Sequence, residues 1–103
     1  MSFTVRITPS ALEDLERLYE HLLAQVETIE DLQLAQWART AILDSMSLLA
    51  RSPFLYRKAT SNAFLRELIV PFGHTGCVVL YEIVDAAHVD VLAVRHQRED
   101  DYH

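Results

Sequence analysis

The sequence predicts an α+β domain with the order β-α-α-β-β-β, in which a helical hairpin packs on a mostly antiparallel four-stranded sheet. Three observations predict it. Apolar residues alternate in a short opening stretch, recur at helical spacing through the middle, and then form three strand-length runs with short connections. At 103 residues, half of them apolar and with only two Gly and three Pro, the chain reads as one ordered domain, residues 1–103.

The opening "SFTVRI" alternates Phe3, Val5 and Ile7 with Thr4 and Arg6, which is a strand with one buried face. "TPS" stops it. Either Thr8 caps a helix with Pro9 in its first position, or Ser10 caps it with Glu13 closing a capping box. Leu12, Leu15, Tyr19 and Leu22 then recur at helical spacing, with Ala11, Leu18 and Leu23 widening the stripe. Glu13, Asp14 and Glu16 are expected in the first turns, where the helix dipole favours acids. After the polar break "QVETIED" a second helical pattern runs over 29–51. Ala35, Ala38, Ile42, Met46 and Leu49 share one face, and Trp37, Ala41 and Leu48 flank it. Ser52 ends it, because a residue before proline disfavours the helical region.

"LYRKATSNA" reads as a polar loop. Strands are expected at 64–71, 77–84 and 88–96, with "FGHTG" and "DAAH" short enough to be hairpin connections. The 77–84 run is apolar on both sides: Cys77, Val79, Tyr81 and Ile83 on one, Val78, Leu80 and Val84 on the other. One helical hairpin covers one face only. The second face is therefore covered either by another chain or by sheet curvature and the 52–63 loop.

The composition excludes several function classes. No apolar run approaches the ~20 residues needed to cross a membrane, and "MSFTVRITPS" lacks the basic-then-apolar order of a signal peptide. The single cysteine, Cys77, allows no internal disulfide, so a cytoplasmic location is expected. The net charge of -6 argues against a surface built wholly for nucleic acid. The charge is uneven, however: residues 1–50 carry a net -5 and residues 51–103 a net -1. A local basic patch is possible only in the second half. The five histidines have no paired ligand spacing, so neither a metal nor another cofactor is expected. Cys77 reads as a small core residue. Arg57 and Lys58 precede the three-strand unit, Arg66 lies in its first strand, and Arg95 and Arg98 close its last. In an up-down-up meander the first entry and the last exit lie at opposite ends, so these bases need not form one patch. Each also has a plain reading as solvated surface paired with Glu99, Asp100 or Asp101.

Four stretches together resemble the ParE branch of the RelE/ParE toxin superfamily. They are "RITPSALEDLERLYEHL", "RSPFLYRKA", "LRELIVPFGHTGCVVLYEI" and "VLAVRHQREDDY", in matching order and spacing from residue 3 to 102. Arg66, Glu67 and Leu68, then Gly76 and Leu80 to Ile83, carry most of it, with the closing "RHQRED". The resemblance implies a bacterial type II toxin of the plasmid-stabilisation kind, non-enzymatic, acting on DNA gyrase. It implies neutralisation by an antitoxin of the ParD or another ribbon-helix-helix type, with no sequence-specific DNA binding by this chain alone.

The RelE branch, ribosome-dependent messenger RNA endoribonucleases, shares the fold. For that alternative the catalytic candidates are Arg57, Arg98 and Tyr102. A cleavage site needs phosphate-gripping bases and proton-transfer groups, whereas this chain has one lysine and "ELIVPF" where that branch has basic strand residues. Cys77 also departs from the aromatic residue usual after the glycine. A third alternative is a non-toxic module that only binds antitoxins. The target-binding candidates are Arg57, Arg66, Arg95, His96, Arg98 and Tyr102. The antitoxin-binding candidates are Leu12, Leu15, Tyr19, Leu22, Trp37, Val78 and Leu80, the two-sided sheet and the helix stripe being surfaces that a helix-and-strand tail can cover.

Overall fold

A computed structural model describes residues 2–72 and 75–97. Strand β1 is Thr4–Ile7, helix α1 is Pro9–Ala24 and helix α2 is Ile29–Arg51. Four strands follow: β2 (Arg57–Lys58), β3 (Leu65–Phe72), β4 (Thr75–Ile83) and β5 (His88–His96). The sheet order is β1-β5-β4-β3-β2, with β1 parallel to β5 and every other pair antiparallel. The sheet thus has five strands rather than four. The extra strand lies in the stretch that composition marks as loop. Two residues carry no readable alternation, and only the pairing of Arg57 with Glu67 and Lys58 with Arg66 makes them a strand.

Thr8 is the cap of α1. Its hydroxyl accepts from the Ala11 N–H at 3.2 Å and donates to the Val91 carbonyl at 2.8 Å. One side chain therefore starts the helix and ties that start to β5. Because the helix begins at Pro9 and not after Ser10, no acid lies in its first turn, contrary to the sequence expectation. Asp14 binds the sheet instead. Its carboxylate accepts from the Val94 N–H at 3.0 Å, beyond the point where β1 ends. Helix α2 opens with a capping box, Thr28 accepting from the Asp31 N–H while the Asp31 carboxylate accepts from the Thr28 N–H.

Helix α1 lies over β5 and α2 over β3. The core between them and the sheet holds Ala11 and Leu18 of α1, Ala38, Ile42 and Leu49 of α2, and Leu68, Val79, Tyr81, Val89 and Val91 of the strands. The buried α1 residues of the core are Ala11 and Leu18, the flanks of the predicted stripe, with Leu15 and Leu22 packed half-buried against the core. Leu12 is left exposed and Tyr19 half-buried. A register shift at Leu80/Tyr81 leaves Leu92 without a partner, so Val91 and Val94 both face the helices. Gly76 stands opposite Pro71, where an added Cβ would meet the Val70 carbonyl oxygen at 2.7 Å. Among the described residues no helix is long and apolar enough to cross a membrane.

Among the described residues, the second face of the sheet carries no helix. Val78 is nevertheless only 5 % exposed, set in register between Ile69 and Arg95. The 52–56 segment does not cover it: it packs beside Tyr81, on the helix side, where the Tyr81 hydroxyl donates to the Pro53 carbonyl at 2.5 Å.

Candidate functional site

The predicted stripe of α1 lines a groove. Leu12, Leu15, Tyr19 and Leu22 form one wall, and Ile42 and Leu43 of α2 form the other, around a cavity of 280 Å³. The Arg39 guanidinium lies over the Tyr19 ring, 5.5 Å from its centroid, and gives the groove a cationic border. Among the described residues no further element lines this groove, which is the geometry a third amphipathic helix fits. Trp37 is 74 % exposed on another face of α2, beside Leu34 and Thr40, and does not join the groove. Val78 is buried within this chain and Leu80 is half-buried, so the sheet offers a contacting partner much less than the helices do.

The basic candidates do not converge. Arg57 pairs with Glu67, Nε to Oε1, at 3.0 Å. Arg66 is spent on its own backbone: Nε donates to the Ala63 carbonyl at 2.8 Å, and Nη1 to those of Phe54 at 3.0 Å and Tyr56 at 2.8 Å. Its guanidinium also covers the Phe54 ring at 5.4 Å. Arg66 is thus a brace for the 53–64 segment. That role is unreadable from sequence, because the three carbonyls become neighbours only when the segment folds back on β3. Arg95 and His96 end β5, separated from β2 by β4 and β3. Two strands between them place them about 14 Å apart across the sheet alone. Arg98 and Tyr102, and with them the rest of the closing tail, lie outside the described residues.

Titration follows the same division between core and surface. Burial pushes the Cys77 thiol up to about 12, so it is protonated and unreactive at neutral pH. Burial likewise pushes the Tyr81 hydroxyl up to about 12, against the opposing pull of the Arg66 charge. On the surface, the Asp85 carboxyl is held below its ordinary value, first by the Ala87 N–H and then by the His88 ring. Among the described residues, no group of three or more His, Cys, Asp or Glu is placed to hold a metal ion.

The family model for the ParE toxin of type II toxin–antitoxin systems, parDE, matches residues 5–101. The chain belongs to the ParE toxin family. The fold is also that of a solved structure described as the chromosomal ParDE toxin–antitoxin system from P. aeruginosa. The TM-score is 0.65 at 15 % identity, covering 91 % of this chain and 95 % of that one. No curated protein matches the sequence. The family match spans the strand order, the groove and the braced segment together, so all three belong to one ParE-type domain.

Proposed function

We propose that this ParE-family chain is a cytoplasmic toxin that inhibits DNA gyrase by binding rather than by catalysis, and that a ParD-type antitoxin neutralises it by laying a helix in the α1/α2 groove. The observation that carries the non-enzymatic reading is that the candidate bases are committed elsewhere or kept apart. Arg57 is neutralised by Glu67, Arg66 is committed to three backbone carbonyls, and Arg95 stands at the far side of the sheet. A nuclease site needs such groups around one scissile phosphate, together with a proton donor and acceptor. The groove supports the antitoxin reading. It is mainly apolar, with Glu16 and Arg39 among its lining, and its walls come from the two longest elements among the described residues.

The test is a supercoiling assay with purified toxin and gyrase, with and without antitoxin. Inhibition at micromolar toxin, relieved by antitoxin, is the expected result. No inhibition, or new cuts in messenger RNA in a translation extract, would count against it. Deleting residues 98–103 is expected to weaken growth arrest without changing the melting temperature, and full toxicity after that deletion would remove the tail from the target surface.

A further inference from the structure

Residues 51–66 hold four bases (Arg51, Arg57, Lys58 and Arg66) and no acid, in a chain of net charge -6. Arg57 is balanced by Glu67, which leaves the charges of Arg51, Lys58 and Arg66 uncompensated by any ion pair among the described residues. The same segment exposes three large apolar side chains: Phe54 at 49 %, Leu55 at 73 % and Phe64 at 52 %. Loops commonly bury such residues or do without them, so three together need a cause.

The cause is a set of hydrogen bonds that turns the backbone inward. The Pro53 carbonyl accepts from Tyr81, and the Phe54, Tyr56 and Ala63 carbonyls accept from Arg66. The turn after β2 is closed in the same manner. The Asn62 side chain accepts from the Phe64 N–H at 2.9 Å, and the Thr60 hydroxyl accepts from the Asn62 N–H at 3.1 Å. With its carbonyls held from beneath, the segment presents the Phe54 and Phe64 rings to solvent. They meet edge to face, 6.1 Å apart, beside a cavity of 670 Å³ reaching Phe3 and Val84. Rigid aromatic side chains shown in advance lose little entropy on binding, which is the economy of a hot spot.

We propose that this braced rim, Phe54, Leu55 and Phe64 beside Arg51 and Lys58, is the surface by which the toxin seizes its target, and that it fits an acidic protein segment carrying apolar side chains. The inference rests on the toxin reading above. Charge complementarity selects the occupant. Arg66 lies over the Phe54 ring and Lys58 stands opposite Arg66 in register, while Glu82 and Asp85 line the cavity and Asp85 is already paired with His88. Leu55 and the two rings offer a polyphosphate nothing. A peptide that places its acids toward Lys58, on β2, and an aliphatic or aromatic side chain in the cavity between the rings uses both features and keeps its charge off Glu82 and Asp85. The rim is separate from the helix groove, so target and antitoxin need not compete for the same side chains.

Two variants test this: Phe54→Ser with Leu55→Ser, and Lys58→Glu alone. Each is induced in cells for growth arrest and purified with antitoxin. Both variants are expected to bind antitoxin with unchanged stoichiometry and to need at least tenfold more toxin for arrest. If the serine pair fails to fold, Lys58→Glu, an exposed change on an edge strand, decides alone. Arrest equal to wild type in either folded variant overturns the proposal. So does loss of antitoxin binding with arrest retained, which would make the antitoxin the occupant. Tight binding of a fluorescent single-stranded oligonucleotide, lost in Lys58→Glu, would replace protein by nucleic acid. A wild-type dimer that the serine pair dissociates without loss of toxicity would make the rim a contact between copies. Wild-type supercoiling inhibition is measured beside these. Arrest without inhibition removes the gyrase reading and leaves the rim to the variants, whereas a wild type that arrests nothing overturns both.

Discussion

The groove between the helices and the rim at Phe54–Phe64 both leave large apolar side chains in water, but different forces hold them there. The groove is exposed because two helices that each bury one face against a sheet still have flanks, and nothing in this chain covers those flanks among the described residues. The rim is exposed because Arg66 and Tyr81 hold the backbone on its inner side. One is a by-product of periodicity that a partner can exploit. The other is built at the cost of a charged side chain withdrawn from the surface. The difference teaches that an exposed phenylalanine carries most information when its own carbonyl is tied down.

The largest way to break the comparison is to remove what lies under the groove. Ile42 is fully buried and also forms part of the groove wall. Ile42→Ala is expected to lose about 2–5 kcal/mol of stability in urea unfolding, enough to weaken both surfaces at once. A loss under about 1 kcal/mol would mean that the helices repack freely.

Next in size, Tyr19→Ala removes one wall and the ring under Arg39. Calorimetry should show antitoxin binding weakened by about 2 kcal/mol, roughly thirtyfold, with growth arrest in the absence of antitoxin unchanged. An unchanged affinity would place the antitoxin elsewhere.

Arg66→Ala acts on the other surface alone. Three carbonyls lose their donor, and because the site is partly open to water the expected cost is about 1–2 kcal/mol. Hydrogen exchange should rise sharply at residues 54–64 and stay the same in α1. Equal protection in both regions would show that the segment holds itself.

A further effect, confined to high pH, is one of titration. Tyr81 is held neutral in the fold, with its pKa raised from an ordinary 10.0 to about 12. The folded state therefore keeps a proton that the unfolded chain loses first. The stability from this group is present in full below about pH 10 and is lost as pH rises through about 12, at most about 1.4 kcal/mol per pH unit. Cys77, raised from 9.0 to about 12, adds a contribution of the same sign beginning one unit lower. Tyr81→Phe should flatten the upper part of this fall in thermal melts between about pH 9 and 12, and an unaltered profile would assign the fall to other groups.

Much of the fold was legible because its signals are local. Thr8 with Pro9, the 3.6-residue pattern of α2, and three strand runs with short links each follow from neighbours in sequence. The parts that were not legible depend on distant partners. Asp14 reads as a dipole acid until Val94, 80 residues away, supplies an N–H. The alternation in β5 breaks at Leu92 only because β4 shifts register there. Of the site, the α1 stripe was legible, but its division was not: Leu12 and Tyr19 open to the groove, while Leu15, Leu18 and Leu22 serve both the groove and the core. Trp37 looks like part of that surface in a helical count and lies on a different face in space.

By itself, then, the sequence determined the order of every element but β2, the two candidate caps of α1, the apolar character of the helical hairpin and the concentration of bases in 51–66. These follow from propensity, periodicity and composition, which act over a few residues. Only the tertiary structure decided that the 57–58 pair is a strand, that Val78 is buried, and that Arg66 braces the 53–64 segment. Each of those depends on hydrogen bonds or burial between segments that meet only when the chain closes on itself, and a buried or bonded group takes its role from the partner it finds there.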